Sequence, residues 1–175
     1  DLANGIKVET EGTMNSGILL ASKVVFKLAT SIRIEAPLQT KDTASNTLTL
    51  LGKLVQVTPT TQFVDRTSGP GKGLRTLSFA DLQLNDRLEV RASKDSAGNV
   101  LATRVERTED DERLVVKGPV DAKTPNTQLT IVGIGVNTGI NTRYRDASGT
   151  LINDVQFYNV VQVPPAPASV VRAQG

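Results

Sequence analysis

The chain repeats its own sequence at a spacing of about 80 residues, and this repetition constrains its fold more than any other feature. Self-similarity at a fixed spacing indicates one small folding unit that is used several times. The matching segments are 47–52 (TLTLLG) with 128–133 (QLTIVG), 81–85 with 154–158, and 20–24 (LASKV) with 101–105 (LATRV). We therefore expect a modular protein with more than one copy of the same small core.

The apolar pattern predicts that each copy is made of β-strands. Residues 87–92 alternate polar and apolar side chains with a period of two, and so do residues 48–50 and 55–57. No segment has the apolar spacing of an amphipathic helix of ordinary length. Because the chain has four Phe, two Tyr and no Trp, its cores must consist chiefly of Val, Leu and Ile.

One complete unit is predicted over residues 31–108. Ser78 and Asp81 are spaced as a helix cap, which predicts a short helical turn near 78–84 between strands three and four. Five strands with one short helical turn between the third and the fourth follow the element order of an OB-type barrel. The predicted fold class is all-β, with tandem small five-stranded OB-like barrels. The five strands are expected at 32–38, 47–51, 54–57, 86–92 and 100–107, with Gly52-Lys53 as the hairpin turn between the second and third.

The flanking units are expected to be incomplete. Residues 1–30 match the C-terminal half of a first repeat, because 5–26 resemble strands four and five. Residues 113–163 match strands one to four, with 160–163 as the fourth strand. The Pro-rich tail 164–175 is predicted to be extended, because proline cannot donate to a strand ladder. Two interpretations of the N-terminal fragment stay open: it completes the last barrel and covers its edge, or it is the end of a truncated repeat.

The absence of Cys and His excludes the commonest catalytic and metal sites. Without these residues there is no Cys nucleophile, no Ser-His-Asp triad, no disulfide and no zinc site of the usual kind. A hard-cation site or a carboxylate pair made of Asp and Glu stays open. The sequence therefore predicts a protein that is not an enzyme and that uses no metal and no other cofactor.

The charge pattern bears on the class of partner. Twenty basic and eighteen acidic residues give a net charge of +2, and the two signs are mixed along nearly every segment. A protein that binds a nucleic-acid backbone normally shows clustered Lys and Arg, so this pattern argues against nucleic acid. No run approaches the length of a membrane-spanning helix.

Four arginines are the candidate binding residues. Arg87, Arg91, Arg104 and Arg107 lie on the two adjacent strands predicted for the end of the complete unit. A shared outward face would let them contact phosphate, sulfate or the acidic sugars of an envelope polymer. The alternative is that they form ordinary cross-strand ion pairs with the nearby glutamates. Aromatic side chains that could stack on bases do not interleave with them.

Repeated aspartates are the other polar feature of the sequence. Asp81 and Asp154 occupy one repeat position, and Asp65 and Asp146 occupy another. A functional interpretation makes them paired carboxylates or cation ligands. The alternative, which recurrence in each unit favours, is that each aspartate stabilises a turn of its own unit.

Two loops have compositions that superficially suggest ligand sites. The acidic run 109–112 lacks the alternating Asp/Asn and central Gly of a calcium loop, so it is interpreted as a solvated connector. The Gly-rich segment 67–73 contains Lys72 but lacks the spacing of a phosphate-binding loop, so it is interpreted as a flexible loop.

The repeated motifs resemble those of a bacterial family of unknown function, found as tandem repeats in exported and lipoprotein-like proteins. The resemblance covers most of residues 5–163 and rests on three motifs of strand and turn residues, at 48–52, 81–90 and 101–106. It implies a small barrel repeat in an extracytoplasmic location: periplasmic, secreted, or lipid-anchored through a removed N-terminal segment. It transfers no catalytic residue.

Taken with the composition, this resemblance leads to a functional hypothesis. The chain is expected to be a non-enzymatic, exported β-barrel repeat protein that serves as a binding or structural module of the bacterial envelope. Its expected partner is an envelope polymer or protein. The alternative hypothesis is an OB-fold binder of oligosaccharide or nucleic acid, which rests on analogy of fold alone.

Overall fold

The computed structural model describes residues 8–26, 32–67 and 75–175, which are mostly β-strand with one short helix. The chain divides into two compact units, Asp1–Thr30 and Ser31–Gly175. The first unit contains β1 (Val8–Asn15) and β2 (Ile18–Phe26). The second contains β3 (Ile32–Pro37), β4 (Thr40–Asp42), β5 (Thr47–Leu50), β6 (Lys53–Gln56), β7 (Gln62–Asp65), β8 (Arg75–Thr76), β9 (Arg87–Lys94), β10 (Val100–Arg107), β11 (Val115–Thr124), β12 (Gln128–Ile131), β13 (Ile134–Asn137), β14 (Tyr144–Arg145), β15 (Leu151–Ile152), α1 (Asp154–Val160) and β16 (Val170–Gln174).

The second unit is organised by one large sheet that curls into a half-barrel. Its strands follow the order β13-β12-β11-β3-β9-β10-β6-β5-β4, with β16 beside β11 and β7 beside β10. Between β3 and β4 the chain bends over two residues, where Leu38 donates to the Asp86 carbonyl at 2.9 Å and Gln39 donates to the Thr49 carbonyl at 3.0 Å. The first strand of this region thereby leaves β9 and joins β5, which curls the sheet.

The core of the half-barrel is aliphatic, as the composition predicts. Alternate residues of β3 and β9 point into it, and Ile34, Leu88 and Val90 are fully buried. The residues between them point outward, because successive side chains of a strand lie on opposite faces. The period-two pattern therefore identified the inward face correctly, and the inward residues predicted from it are all buried: Leu50, Val57, Leu88, Val90 and Val105.

The hairpin between β5 and β6 turns one residue earlier than predicted. Leu50 pairs with Lys53, so the two turn residues are Leu51 and Gly52 rather than Gly52 and Lys53. Both have positive φ, 50° and 72°, which is the backbone of a type I′ turn. The equivalent turn between β12 and β13 has the same signs at Val132 and Gly133, with φ of 55° and 77°.

The predicted helical turn between strands three and four takes different forms in the two regions. Near 78–84 the structure has hydrogen-bonded turns rather than a helix, with Asp81 donating to the Ser78 carbonyl at 3.2 Å. After β15 it has the true helix α1, because Asn153 and Gln156 form a capping box there.

The C-terminal segment differs from its prediction. Residues 161–163 are not a strand, and Val161 instead ends α1 as its C-cap. The proline-containing stretch that follows has a turn at 164–165, and the chain then re-enters the sheet as β16, which runs antiparallel to β11. The strand reforms once the prolines have passed, because each residue from Val170 onward can again donate an amide hydrogen.

The N-terminal unit is a hairpin. Strands β1 and β2 pair antiparallel from Val8↔Phe26 to Asn15↔Ile18, with a β-bulge opposite Glu11/Gly12. Whether this hairpin completes the last barrel or ends a truncated repeat stays a prediction. Most of the predicted Gly-rich loop, residues 68–74 with Lys72, lies outside the described residues.

Candidate functional site

The outward face of β3, β9 and β10 carries alternating charged residues. On each strand one arginine and one glutamate stand two residues apart: Arg33 and Glu35 on β3, Glu89 and Arg91 on β9, and Arg104 and Glu106 on β10. The residues between them fill the core, so the alternation that builds the core also forces these charges to one side of the sheet.

The register of the strands places the basic residues in one line across the sheet. Arg33 lies opposite Arg91, and Arg91 lies opposite Arg104. The line continues on the other side, where Lys117 of β11 lies opposite Arg33 and Arg172 of β16 lies opposite Lys117. We call Arg172, Lys117, Arg33, Arg91 and Arg104 the basic row. With neighbouring strands about 4.8 Å apart, its five positions span about 19 Å.

Three glutamates form a second line beside the basic row. Glu35 lies opposite Glu89, which lies opposite Glu106. Each glutamate is held by an arginine: Arg33 contacts Glu35 at 2.7 Å and Glu89 at 2.8 Å, Arg91 contacts Glu89 at 2.9 Å, and Arg104 and Arg66 both pair with Glu106. Arg91 and Arg104 therefore pair with glutamates of their own strands, and the ion pair that joins two of these strands is Arg33 with Glu89.

The carboxylates lie deeper than the guanidinium groups that hold them. The side chain of Glu106 is 3% exposed and that of Glu89 is 11%, whereas Arg33 and Arg91 are 39% and 44% exposed. The surface therefore presents cations to the solvent and keeps the anions beneath them. Six basic side chains, the basic row together with Arg66, stand against three glutamates, so this face carries an excess of positive charge.

Two members of the basic row retain most of their capacity for a ligand. Lys117 is exposed and makes no ion pair with any described residue, and the Arg172 guanidinium donates to the Gln174 side chain at 3.1 Å. Lys117 stands beside Arg33 and Arg172 stands beside Lys117 in the register of the sheet, at the end of the row farthest from Glu106.

The structure separates the four arginines that the sequence singled out. Arg91 and Arg104 lie in the basic row, whereas Arg87 is only 5% exposed and holds the connector through Asp111, at 2.9 Å, and the Arg113 carbonyl. Arg107 is bound by Asp65 at 2.7 Å and by Asp86 at 3.4 Å. Arg87 and Arg107 thus bind aspartates next to the sheet, whereas Arg91 and Arg104 pair with the glutamates of the outward face.

The repeated aspartates act in turns, as their recurrence suggested. Asp65 accepts from the Thr67 amide and hydroxyl, and Asp146 accepts in the same way from Ser148. The Arg107 guanidinium, which donates to Asp65, holds the pKa of that buried carboxyl well below its usual range. Across residues 8–26, 32–67 and 75–175, no group of three or more acidic residues is placed to hold a metal ion.

Asp81 and Asp154, which the sequence assigns to one repeat position, have different contacts. Asp81 accepts from the Ser78 amide at 2.9 Å and from its hydroxyl at 2.6 Å, which closes the turn after β8. Asp154 is the first residue of α1 and accepts from the Val155 amide, while Asn153 provides the cap. Neither carboxylate converges with another into a site.

A shallow, open cleft of about 640 Å³ lies beside β14 and β15. Ile140, Tyr144 and Leu151 line it, and Asp154 is its single carboxylate. The cleft therefore does not hold the pair of carboxylates that glycoside hydrolysis uses.

Three members of the basic row, Arg33, Lys117 and Arg172, were missed by sequence reasoning. A signal for Arg33 was present, because the Arg-x-Glu alternation at 33–35 matches Arg-x-Glu at 104–106 and its reverse at 89–91. Lys117 and Arg172 had no such signal. Their place in the row depends on the pairing of β11 with β3 and β16, which local sequence does not encode.

Comparison with known proteins identifies a domain within the chain. No helix of the described residues is long and apolar enough to cross a membrane. No curated protein and no solved structure is similar enough to this chain to count as a match. A family model does match, over 34–106, a segment that runs from within β3 to near the end of β10 and contains two members of the basic row, Arg91 and Arg104. Residues 34–106 are thus a DUF5666 domain, a domain of unknown function.

Proposed function

We propose that this chain is a non-enzymatic β-barrel repeat module, exported to the bacterial envelope, that binds an acidic polysaccharide along the basic row. The observation that carries the proposal is the register Arg172–Lys117–Arg33–Arg91–Arg104 across five strands. A linear polymer with repeated negative groups fits a line of cations about 19 Å long. Arg supports such binding because its planar fork pairs with carboxylate or sulfate through two parallel hydrogen bonds.

The composition of the row favours an acidic sugar polymer over nucleic acid. None of the five strands that carry the row contains an aromatic residue. Proteins that bind single strands use aromatic platforms on which bases stack, at about 1–3 kcal/mol per base. A row of cations without platforms provides charge and hydrogen bonds but nothing for a base to stack on.

We also propose that residues 32–107 form an OB-like barrel. The bent first strand, β3 with β4, pairs with β9 on one side and β5 on the other. The remaining pairs are β5 with β6, β6 with β10 in parallel, and β10 with β9. This is the strand order 1-2-3-5-4-1, and it supports the oligosaccharide-binding alternative by analogy of fold.

Matched contacts support the proposal that residues 115–175 are a second unit of the same kind. The Gln39 side chain accepts from the Gly52 amide at 2.7 Å, and Asp121, at the equivalent position, accepts from the Gly133 amide at 2.6 Å. Lys41 donates to carbonyls of the turn after β8, and Lys123 donates to carbonyls at the end of α1. Two independent contacts recurring at equivalent positions favour a tandem repeat.

Binding of a uronic acid polymer tests the function. The double variant Lys117→Gln with Arg172→Gln removes two exposed cations of the row. Each cation near a dense anionic surface contributes about 1 kcal/mol, so affinity should fall by roughly 10–30-fold at low salt. Calorimetric titration with polygalacturonate measures this affinity, and neutral dextran serves as the uncharged polymer.

The matched control is Lys53→Gln with Arg143→Gln, which removes the same charge away from the row. It should weaken binding by less than about twofold, because cations more than a Debye length, about 10 Å, from the polymer are screened. An equal loss in both double variants would show that net charge rather than the row binds the polymer. If single-stranded DNA binds more tightly than polygalacturonate, and the double variant of the row weakens that binding, the ligand is nucleic acid and the polysaccharide proposal is wrong.

A further inference from the structure

The N-terminal hairpin is a geometric copy of the hairpin formed by β9 and β10. In β2 the bulged residue is Ser22, whose hydroxyl donates to the Glu11 carbonyl of β1 at 3.1 Å. In β10 the bulged residue is Thr103, whose hydroxyl donates to the Arg91 carbonyl of β9 at 3.0 Å. A shared bulge with a shared side-chain hydrogen bond is a specific feature, since bulges are conserved structural devices rather than random defects.

In the 32–107 region, β10 is the fifth strand and connects two parts of the sheet. It pairs with β9 on one edge, and on the other it runs parallel to β6 and β7. Leu101 lies opposite Gln56 in this parallel pairing. By the sequence match of 20–24 with 101–105, β2 is the equivalent of this fifth strand.

The 115–175 region has counterparts of the first four strands. β11 corresponds to the first strand, which is β3 together with β4. β12 corresponds to β5, and β13 corresponds to β6. β16 pairs antiparallel with β11, as β9 pairs antiparallel with β3. Val171 lies opposite Gly118, as Leu88 lies opposite Ala36. Among the described residues β13 pairs with β12 alone and β14 with β15 alone, so the place equivalent to β10 is open there.

We propose that the β1–β2 hairpin of one copy of this chain inserts into the 115–175 region of a second copy. β2 takes the fifth place beside β13, and β1 takes the place along β11 that β16 holds in the free chain. An added strand gains main-chain hydrogen bonds along an open sheet edge, which is a general mode of protein association.

The state of the hairpin favours this exchange. A two-stranded hairpin is marginally stable by itself in water, and three or more strands are needed for independent stability. Met14, Ile18 and Leu20 of the hairpin are 68%, 67% and 54% exposed. Insertion would add strand neighbours to this hairpin, and it would replace the five residues of β16 with the eight of β1.

The assembly that results is head-to-tail. Each copy carries one donor hairpin and one acceptor region, so the contacting surfaces differ and the interface is heterologous. Such contacts build rings when the rotation closes and open chains when it does not. A ladder of species that grows with protein concentration is the expected solution behaviour.

Cysteine cross-linking tests the register of the proposed pair, and the chain contains no native Cys to interfere. Leu20 and Asn137 are the equivalents of Leu101 and Gln56, and both are exposed. We expect a mixture of the single variants Leu20→Cys and Asn137→Cys, with oxidised glutathione, to form a disulfide-linked heterodimer. Paired strands bring Cα atoms within the limit of about 7 Å that a disulfide requires.

The matched control replaces Leu20→Cys with Thr13→Cys. Thr13 lies opposite Leu20 in the same hairpin and is also exposed, but it would stand one strand farther from β13. Its cross-linking to Asn137→Cys should be about tenfold slower or more, because the Cα distance then exceeds the disulfide limit. Equal rates would overturn the proposed register. An intrachain disulfide in a dilute Leu20→Cys, Asn137→Cys double variant, with no heterodimer from the singles, would overturn exchange between copies.

Hydrogen exchange tests the replacement of β16 separately. On cross-linking, amides of 134–137 should gain protection and amides of 170–174 should lose it. Protection at 170–174 that persists in the cross-linked species would show that β16 keeps its place along β11, and the replacement would be wrong.

Discussion

The ion pairs of this protein differ in how far their side chains are buried, and burial decides how much each pair contributes to stability. Asp65 is 4% exposed and is bound by Arg107, whereas the Arg91 contact with Glu89 has a half-exposed guanidinium. Breaking a buried pair leaves a desolvated charge, while breaking an exposed pair returns the charge to water. The four arginines chosen from the sequence therefore have two roles, internal support and surface charge.

Replacement of Arg107 tests this distinction. We expect Arg107→Gln to lower the free energy of unfolding by about 2–4 kcal/mol at pH 7, because Asp65 loses a charged partner in a buried site. The pKa of Asp65 is depressed in the folded state, so its stabilisation is fully present above the unfolded pKa of about 3.9 and is lost as pH falls below it. The difference between wild type and variant should therefore shrink below about pH 4 in urea titrations.

Arg91→Gln is the control for that experiment. Its effect should stay within about 1 kcal/mol at pH 7, as for other exposed ion pairs. A loss for Arg107→Gln that is the same at pH 7 and pH 3 would show that packing of the side chain, rather than its charge, stabilises Asp65.

At the scale of elements, a lysine of the sheet binds carbonyl groups at the end of α1. The Lys123 ammonium donates to the Tyr158 carbonyl at 2.5 Å and to the Val161 carbonyl at 2.7 Å. The last carbonyls of a helix lack intrahelical partners, and a cation at this end also interacts favourably with the helix dipole. The lysine stands on β11, so it fixes the short helix to the sheet.

Removal of this ammonium should loosen α1. We expect Lys123→Met to cost about 1.5–3 kcal/mol, the range for hydrogen bonds to charged groups, because Met keeps the aliphatic stem but donates nothing. Hydrogen exchange should show faster exchange of the Val161 amide, which donates to the Phe157 carbonyl. Lys117→Met, at an exposed position, should change stability by less than about 0.5 kcal/mol. Unchanged exchange in α1 would contradict the capping role.

At the scale of the whole molecule, the two proposed repeats share one core. The contiguous set of buried apolar side chains runs from Ile32, Leu88 and Val105 to Val120 and Ile131. Strand β11 joins the two regions by pairing with β3. Because a shared core makes neighbouring segments lose their packing together, residues 32–175 should unfold in one cooperative transition.

The two tyrosines allow a test of this cooperativity. Tyr144 and Tyr158 both lie in the 115–175 region, so tyrosine fluorescence reports on that region alone. Leu88→Ala changes the 32–107 region, where Leu88 is fully buried, and should cost about 2–5 kcal/mol. The tyrosine-monitored midpoint in urea should fall as much as the midpoint by circular dichroism. Leu84→Ala, at a position 62% exposed, should change both by less than about 0.5 kcal/mol. If Leu88→Ala leaves the urea midpoint of the tyrosine fluorescence unchanged, the two regions unfold as independent domains.

The sequence by itself determined the features that depend on local backbone geometry. Period-two alternation identified β9 and its inward Leu88 and Val90, since neighbouring side chains of a strand must face opposite ways. Glycine at 52 and 133 indicated the tight turns, although the turn began one residue earlier than predicted. The similar segments 47–52 and 128–133 predicted the same local structure, and both end in a turn with two positive φ angles, because similar local sequences have similar local preferences.

Only the tertiary structure decided which strands lie side by side. The basic row depends on pairing between β3, β11 and β16, whose residues are distant in sequence, and the choice of edge and register is made by packing of the whole core. Long-range packing also decides which segment pairs with β11. The sequence predicted a fourth strand at 160–163, but β16, which follows the prolines, pairs with β11 instead. Local pattern specifies the strand and its face, whereas the partner of each edge is set by long-range contacts.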